Sequence, residues 1–353
     1  MDHRYIRQTQ LKDFGPLGQQ RLAEAKVLVV GLGGLGLPAL QYLNAMGVGT
    51  LGLMDRDRIE LHNLQRQILY GEMDVGRPKL DVAHERLRQQ NPTTQFRLHD
   101  CFLTVENALD ILGDYDLVVD ATDNFPTRYL INDACVILGK AFVYGALHGF
   151  EGHISVFNHL GGPTYRCLYP NMPGDAEMPD CNTNGVLGII PGIIGNLQAL
   201  EVVKILTGMG EVLSGKLLLF DGLAQSYTKI GFKANPANLL RMELQGSYEP
   251  VACEPVPGIS TEDFQAELEA NPQLFLMDVR NPEEFARNHL EQAINVPMDR
   301  LQHPQVPFPQ RVYVICQSGK RSGASVFELQ KRYPGSQFLS VLGGMNKMMS
   351  LCP

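Results

Sequence analysis

Lys26-Val27-Leu28-Val29-Val30-Gly31-Leu32-Gly33-Gly34-Leu35-Gly36 is the stretch whose reading decides the fold. After Lys26 it opens as an apolar run of strand length. Such a run, with no polar alternation, belongs to a strand buried on both faces of a parallel sheet. The glycines that follow, Gly31, Gly33, Gly34 and Gly36, let the backbone turn tightly and approach a phosphate closely. Leu37 to Met46 reads as a helix whose first free N–H groups face that phosphate. Thr50 to Met54 is a second strand ending at Asp55, nineteen residues beyond Gly36. A carboxylate there accepts hydrogen bonds from ribose hydroxyls.

Outward from this unit the alternation continues. Pro78 to Gln90 suits a helix, Gln95 to Leu98 a strand, and Asp116 to Val119 a strand ending at Asp120. Ala141 to Tyr144 and His153 to Phe157 read as strands, Asn184 to Thr207 as mainly helix, and Lys216 to Asp221 as a strand. The fold class is α/β: a Rossmann-like doubly wound sheet, parallel in its N-terminal half and mixed in its C-terminal half. A proline-rich stretch, with Pro236, Pro250, Pro255 and Pro257, then reads as a linker. Beyond it a second βα pattern restarts: strands at Leu274 to Met277, Val312 to Ile315 and Gln337 to Val341, helices at Pro282 to Arg287 and Ser322 to Tyr333. The expected domains are 1–240 for nucleotide binding, 241–258 as linker and 259–353 as a small α/β domain.

Length and composition agree with two domains. The chain has 353 residues, 44% hydrophobic and 19% charged, with net charge −8. An acidic balance argues against nucleic acid as the main ligand. The start is polar and lacks an apolar signal core, and the most apolar run, Val186 to Gly195, is too short to span a bilayer. No membrane is expected, and the compartment is expected to be the cytoplasm. The seven cysteines, at 101, 135, 167, 181, 253, 316 and 352, are then reduced thiols.

The fingerprint alone suits a nicotinamide dehydrogenase. The next segment favours a triphosphate. His62-Asn63-Leu64-Gln65-Arg66-Gln67 and Gly76-Arg77-Pro78-Lys79 bring two cations, Arg66 and Lys79, towards a polyphosphate. Attack at a phosphorus builds negative charge that such cations stabilise. Asp123, in Asp120-Ala121-Thr122-Asp123-Asn124, lies at the carboxyl edge of the sheet, where a carboxylate can hold Mg²⁺.

With these strings on the page (VLVVGLGGLG, LMDRDRIELHNLQRQ, VGRPK and VVDATDN), the first 235 residues or so resemble the ThiF/MoeB/HesA family, bacterial relatives of ubiquitin-activating enzymes. The resemblance implies ATP-dependent adenylation of the terminal glycine of a ubiquitin-like sulfur carrier ending in Gly-Gly. It puts Gly34 and its neighbours Gly31, Gly33 and Gly36 beside the nucleotide, Asp55 on the ribose, and Asn63, Arg66 and Lys79 on the phosphates. Asp123, with Asn124 beside it, goes to Mg²⁺. Tyr5-Ile6-Arg7-Gln8 matches a family motif whose arginine reaches into the partner subunit's site, so Arg7 is a catalytic candidate and a homodimer is implied. A cysteine desulfurase is the sulfur donor this implies, and the pathways served include molybdopterin, thiamine, tRNA thiolation and cysteine. An adenylating enzyme acting on a small molecule, peptide or tRNA stays open as the alternative.

Two features depart from the pattern or leave it undecided. Many members hold a structural zinc with two C-x-x-C pairs. Here the first would be Thr164-Tyr165-Arg166-Cys167 and the second Asn235-Pro236-Ala237-Asn238, so no zinc is expected. Cys181 lies where some relatives carry a cysteine that bonds to the carrier. A covalent role for it stays open.

In the C-terminal ninety or so residues, Cys316 follows a strand and precedes a helix. Gln317-Ser318-Gly319-Lys320-Arg321 between them can curl so that N–H groups and two cations favour a thiolate. A phosphatase loop would need five residues between cysteine and arginine, and here there are four. With LFLMDVRNPEEFARNHLEQAINVP, VYVICQSGKRS and SVLGGM, the segment resembles a rhodanese domain. That implies a persulfide on Cys316 as the source of sulfur. The family's usual tryptophan after Gly343-Gly344-Met345 is missing, and Met348 is expected to fill its place.

Overall fold

Val27 and Val29 pack into one hydrophobic cluster while Leu28 and Val30 pack into another, so the strand Lys26–Val30 (β1) is covered on both faces. Successive strand side chains point to opposite sides, which is why an unbroken apolar run marks a doubly covered strand. Each fully buried aliphatic side chain contributes about 1.5–3 kcal/mol. The computed structural model describes residues 3–173, 185–248, 257–301 and 307–351. The chain divides into two units, each with its own sheet.

The first unit begins with α1 (Ile6–Thr9) and α2 (Gly15–Glu24), then β1, α3 (Gly36–Met46), β2 (Thr50–Met54), α4 (Lys79–Gln90) and β3 (Gln95–His99). There follow α5 (Ala108–Gly113), β4 (Leu117–Asp120), α6 (Phe125–Ile137), β5 (Phe142–His148), β6 (Glu151–Phe157), α7 (Tyr165–Leu168), α8 (Ile189–Thr207), β7 (Lys216–Asp221) and β8 (Ser226–Gly231). The sheet order is β3-β2-β1-β4-β5-β6-β7-β8. It is parallel from β3 to β5 and antiparallel from β5 to β8, the mixture expected from the sequence. Leu22, Leu40, Leu43, Leu80 and Val202 cover one face from α2, α3, α4 and α8; Leu112, Tyr129 and Ile131 cover the other from α5 and α6.

α8 begins at Ile189, later than the expected helical start. Gly185 takes a left-handed φ of +68° and Val186 bridges to Gly149, which keeps the chain extended before the helix; Asn184 lies outside the described residues. Among the described residues α8 is the one helix long and apolar enough to cross a membrane, and here it packs as a core helix against the sheet.

The first part of the expected linker is fastened to this unit. Asp133 of α6, fully buried, accepts two hydrogen bonds from Arg166 at 2.7 and 2.9 Å and one from the Tyr248 hydroxyl at 2.7 Å. Arg241 lies 3.3 Å away. Removing one partner of such a buried charge costs about 3–5 kcal/mol. Composition marks a linker by its prolines, but Arg241 and Tyr248 give residues 241–248 partners that the prolines do not reveal.

The second unit holds β9 (Gly258–Ile259), α9 (Thr261–Ala270), β10 (Leu276–Asp278), α10 (Pro282–Arg287) and β11 (Ala293–Asn295), then β12 (Arg311–Ile315), α11 (Lys320–Arg332), β13 (Gln337–Val341) and α12 (Gly344–Leu351). Its sheet is parallel throughout, in the order β11-β10-β12-β13-β9. Val312 and Val314 enter one cluster, Tyr313 and Ile315 the other. Met348 is buried in one cluster with Val341 and Met345.

Candidate functional site

β1 and β4 lie side by side with Val30 opposite Asp120, and the strand order reverses between them. In a doubly wound sheet the ligand crevice lies above the carboxyl ends of the strands at that reversal. Gly31 turns there with φ +98°, and a Cβ on it would stand 2.7 Å from the Ala121 carbonyl oxygen. One on Gly36 would stand 1.9 Å from the Gly31 carbonyl oxygen. Neither position admits a side chain. Asp55, at the end of β2, accepts from Leu32 N at 2.7 Å and from Asp57 N at 2.8 Å, which fixes its carboxylate against the glycine loop. Each oxygen keeps a lone pair for a ligand hydroxyl.

The segment after β2 closes over the same loop. Asn63 is buried and its Oδ1 accepts from Glu60 N at 3.0 Å, capping the 3-10 turn Leu61–Asn63 that leads to Arg66. The Arg66 stem lies over Gly34: a Cβ there would come within 3.3 Å of Arg66 Cγ and 2.9 Å of Pro191 Cβ. Its Nη1 donates to the His62 carbonyl at 3.1 Å. Lys79 is 6% exposed and its Nζ meets Asp57 Oδ2 at 2.9 Å. The Tyr70 hydroxyl donates to the Leu32 carbonyl at 3.0 Å, with the Lys79 carbonyl at 3.3 Å. Burial, with the Asp55, Asp57 and Asp74 carboxylates, pushes the Tyr70 phenol up, so it stays a donor. The glycine loop, Asp55, Asn63, Arg66 and Lys79 thus form one neighbourhood.

Asp120 closes the other side. Fully buried, it accepts from Thr122 N at 3.0 Å and from the Thr122 hydroxyl at 2.6 Å; Arg128 Nη2 donates to the Thr122 carbonyl at 2.8 Å. Burial pushes the Asp120 carboxyl up, and Arg128 with the Thr122 hydrogen bonds pulls the other way. This turn leaves Asp123 exposed, without a hydrogen-bond or ion-pair partner among the described residues. An exposed, unengaged carboxylate beside the crevice fits the oxygen-ligand chemistry of magnesium. Asn124 spends its Oδ1 on Thr127 N at 2.9 Å, capping α6.

Arg7 is not in this neighbourhood. Its flanking residues are pinned to the far end of α3: Gln8 Nε2 donates to the Met46 carbonyl at 2.9 Å, and the Tyr5 hydroxyl accepts from Asn91 Nδ2 at 2.9 Å. The eleven residues of α3 separate that end from the glycine loop by roughly 15 Å. Arg7 itself is exposed. Cys181 lies outside the described residues.

The other expected site follows β12. Cys316 is buried; its Sγ accepts from Gly319 N at 3.2 Å and lies 3.6 Å from the Ser322 hydroxyl. Gly319 adopts φ +92°, which turns that N–H onto the sulfur, and α11 starts at Lys320. Arg321 does not face the thiol with free donors: both terminal nitrogens bond Glu284 at 2.7 Å. Arg280, fully buried, is gripped by Asp278 at 2.7 Å and donates to Asn288 and to Gln317 Oε1 at 3.0 Å. Met345 N donates to the Cys316 carbonyl at 2.8 Å. The loop is thus held on each side of the sulfur.

The model described as the ThiF family matches residues 5–240, and that of the rhodanese-like domain matches residues 260–350. The chain belongs to the ThiF family. A sulfur carrier protein adenylyltransferase of Thermus thermophilus is 51% identical over 238 residues, 66% of this chain and 88% of that protein. The adenylyltransferase and sulfurtransferase MOCS3 of Drosophila yakuba is 37% identical over 375 residues, 97% of this chain and 82% of that one. The crystal structure of E. coli MccB with ATP superposes with TM-score 0.59 at 22% identity, covering 67% of this chain and 72% of that one; it speaks for the fold.

Within this ThiF-family site several participants escaped sequence reading. Asp57 holds Lys79, Tyr70 ties the glycine loop to α4, and Arg128 with Asp120 shapes the turn before Asp123. Gln67 is buried with its Nε2 3.6 Å from where a Gly33 Cβ would be, and its Oε1 has no hydrogen-bond partner among the described residues. In the rhodanese-like domain Arg280 and Glu284 fix the loop. Asp57 is the one with a usable signal: it follows Asp55 by two residues in Asp55-Arg56-Asp57, which returns its side chain to the same side of an extended chain.

Proposed function

We propose that the protein uses ATP to adenylate the C-terminal glycine of a ubiquitin-like sulfur-carrier protein and then converts it to a thiocarboxylate with sulfur held on Cys316. The observation that carries this reading is the gathering of Arg66, Lys79 and an unengaged Asp123 around a glycine loop, in a chain that also carries a built cysteine loop. A nicotinamide dinucleotide has little use for that pair of cations.

The carrier carboxylate attacks the α-phosphorus of ATP; a P–O bond forms and pyrophosphate leaves. Gly31 to Gly36 let the backbone approach the phosphates, Asp55 accepts from the ribose, and Arg66 and Lys79 meet the charge that grows on the phosphoryl oxygens. Mg²⁺, held by Asp123, would neutralise phosphate charge there. Lys79 is paired with Asp57, which keeps a buried ammonium compensated until phosphate replaces its partner. Arg7, pinned away from its own glycine loop, serves the site of a second subunit in a homodimer.

In the second stage the outer sulfur of a Cys316 persulfide attacks the adenylate carbonyl and AMP leaves. A further thiol, for which Cys181 is the sequence candidate, attacks Cys316 Sγ; the S–S bond to the carrier breaks, the thiocarboxylate leaves, and the disulfide formed between the two cysteines is reopened by an external dithiol reductant. Gly319 N–H donates to the Cys316 sulfur, which stands at the start of α11. A cysteine desulfurase recharges Cys316, and the reaction belongs in the reducing cytoplasm. One chain carrying both activities raises the local concentration of the donor.

Mass spectrometry of a Gly-Gly-ended carrier, incubated with ATP, Mg²⁺, the protein and a persulfide source, tests this directly. The expected product has sulfur in place of one carboxylate oxygen and forms only with ATP. An unmodified carrier, from protein that binds ATP, overturns the proposal.

A further inference from the structure

Cys167 stands in α7, and its sulfur is ringed by groups from two distant segments. Thr164 brings its backbone N–H and its hydroxyl, each to 3.4 Å. From beyond β8, Asn235 donates its backbone N–H at 3.2 Å and Asn238 Nδ2 approaches to 3.8 Å. Two pairs of equal spacing, 164 with 167 and 235 with 238, therefore close on one point.

That spacing is the geometry of a metal site carrying the wrong ligands. Four sulfurs on a tetrahedral zinc, each about 2.3 Å from the metal, stand roughly 3.8 Å apart. The Thr164 hydroxyl and Asn238 Nδ2, at 3.4 and 3.8 Å from Sγ, occupy the places of neighbouring sulfurs. The donors themselves do not fit zinc. One thiol, one hydroxyl and two carboxamides replace four thiolates, and among the described residues no three histidine, cysteine or acidic side chains gather to hold a metal. The sulfur accepts from the Thr164 and Asn235 N–H groups and from Asn238 Nδ2, and its own S–H reaches the Asn235 carbonyl at 4.0 Å. Burial alone would push the Cys167 thiol up; the donors from Asn235, Thr164 and Asn238 outweigh it and hold the group below its ordinary value.

We propose that Cys167 is the acceptor at the centre of a metal-free staple, joining the 164–167 turn to the 235–238 turn by N–H···S bonds where many ThiF-family members place zinc. The staple links the segment after β6 to the segment after β8, so it ties two parts of the antiparallel half of the sheet together. The adjacent Arg166 carries the same turn onto buried Asp133 of α6. Stability at this corner is then independent of metal, and the paired spacing 164/167 and 235/238 leads us to expect that cysteines at all four positions would take up a metal.

The full-length protein tests both statements. Elemental analysis of the wild type should show no stoichiometric zinc, and EDTA should leave its melting temperature unchanged. Cys167→Ala should melt about 2–6 °C lower. The triple variant Thr164→Cys, Asn235→Cys, Asn238→Cys should bind one zinc per chain and melt lower once the zinc is chelated. Stoichiometric zinc in the wild type overturns the staple, as does a Cys167→Ala protein that melts with the wild type. A folded triple variant that takes up no zinc overturns the expected metal uptake. If Cys167→Ala does not fold, zinc content and the EDTA response of the wild type decide.

Discussion

Around Cys316 the ionic side chains are matched to one another: Arg321 holds both oxygens of Glu284, and Arg280 is divided among Asp278, Asn288 and Gln317. Around the glycine loop they are left for a visitor. Asp123 has no partner among the described residues, Arg66 reaches only a backbone carbonyl four residues back, and Lys79 is parked on a half-exposed Asp57. On the proposed function, the difference follows from what each site would hold. A sulfur atom bound covalently to Cys316 needs a fixed cradle of N–H donors. A nucleotide that arrives with three phosphates, reacts and leaves needs charges that can change partner.

The comparison breaks most visibly at the cysteine. Cys316→Ala should abolish thiocarboxylate formation, a loss above roughly 10³-fold, while ATP–pyrophosphate exchange stays within about twofold of the wild type. Comparable loss of both activities would mean that the two sites are not separable. Next comes the crevice. Lys79→Ala should lower exchange by about 10²–10³-fold. Asp57→Asn, which only frees Lys79, should change it by about tenfold or less, chiefly in the KM for ATP. An Asp57 variant as impaired as Lys79→Ala would show that the carboxylate, not the ammonium, is the working group.

A third prediction concerns Arg7. Subunits carrying Arg7→Ala and subunits carrying Lys79→Ala should each be inactive alone, yet regain roughly a quarter of wild-type exchange when mixed, since half the dimers then hold one intact site. Absence of complementation after verified subunit exchange would place Arg7 in its own chain's chemistry or in none. The smallest effect belongs to Glu284. The Arg321 hydrogen bonds hold its carboxyl below the ordinary value. A depressed carboxyl adds stability above its unfolded value and loses it as pH falls through the folded one. Glu284→Gln should therefore blunt the acid-side loss of stability by about 0.5–1 kcal/mol. By freeing Arg321 it should also lower the KM for thiosulfate, a dianionic donor, about three- to fivefold. Urea unfolding across pH 3–6, and a rhodanese assay, read these two outcomes.

Much of the fold was legible because buried parallel strands are unbroken apolar runs. Lys26–Val30, Thr50–Met54 and Lys216–Asp221 could be bounded from sequence alone. β8 could not: all six of its residues are exposed, and an edge strand facing water carries no apolar signature. β9 has two residues, below what any periodicity can resolve. At the sites, the glycines, Asp55, Arg66, Lys79, Asp123 and Cys316 were legible because each sits at the end of a readable strand or in a patterned string. Glu284 was not, since its part comes from a partner 37 residues away that only folding brings close; Asp57 offered its two-residue spacing from Asp55, but not its partner 22 residues on.

The most direct test of the central claim is ATP–pyrophosphate exchange by the purified full-length protein, assayed with each Gly-Gly-ended carrier in turn and repeated with Lys79→Ala and Cys316→Ala. Exchange that requires one carrier, disappears with Lys79→Ala and survives Cys316→Ala is the expected result. Exchange with no carrier, from folded protein that binds ATP, would contradict the claim.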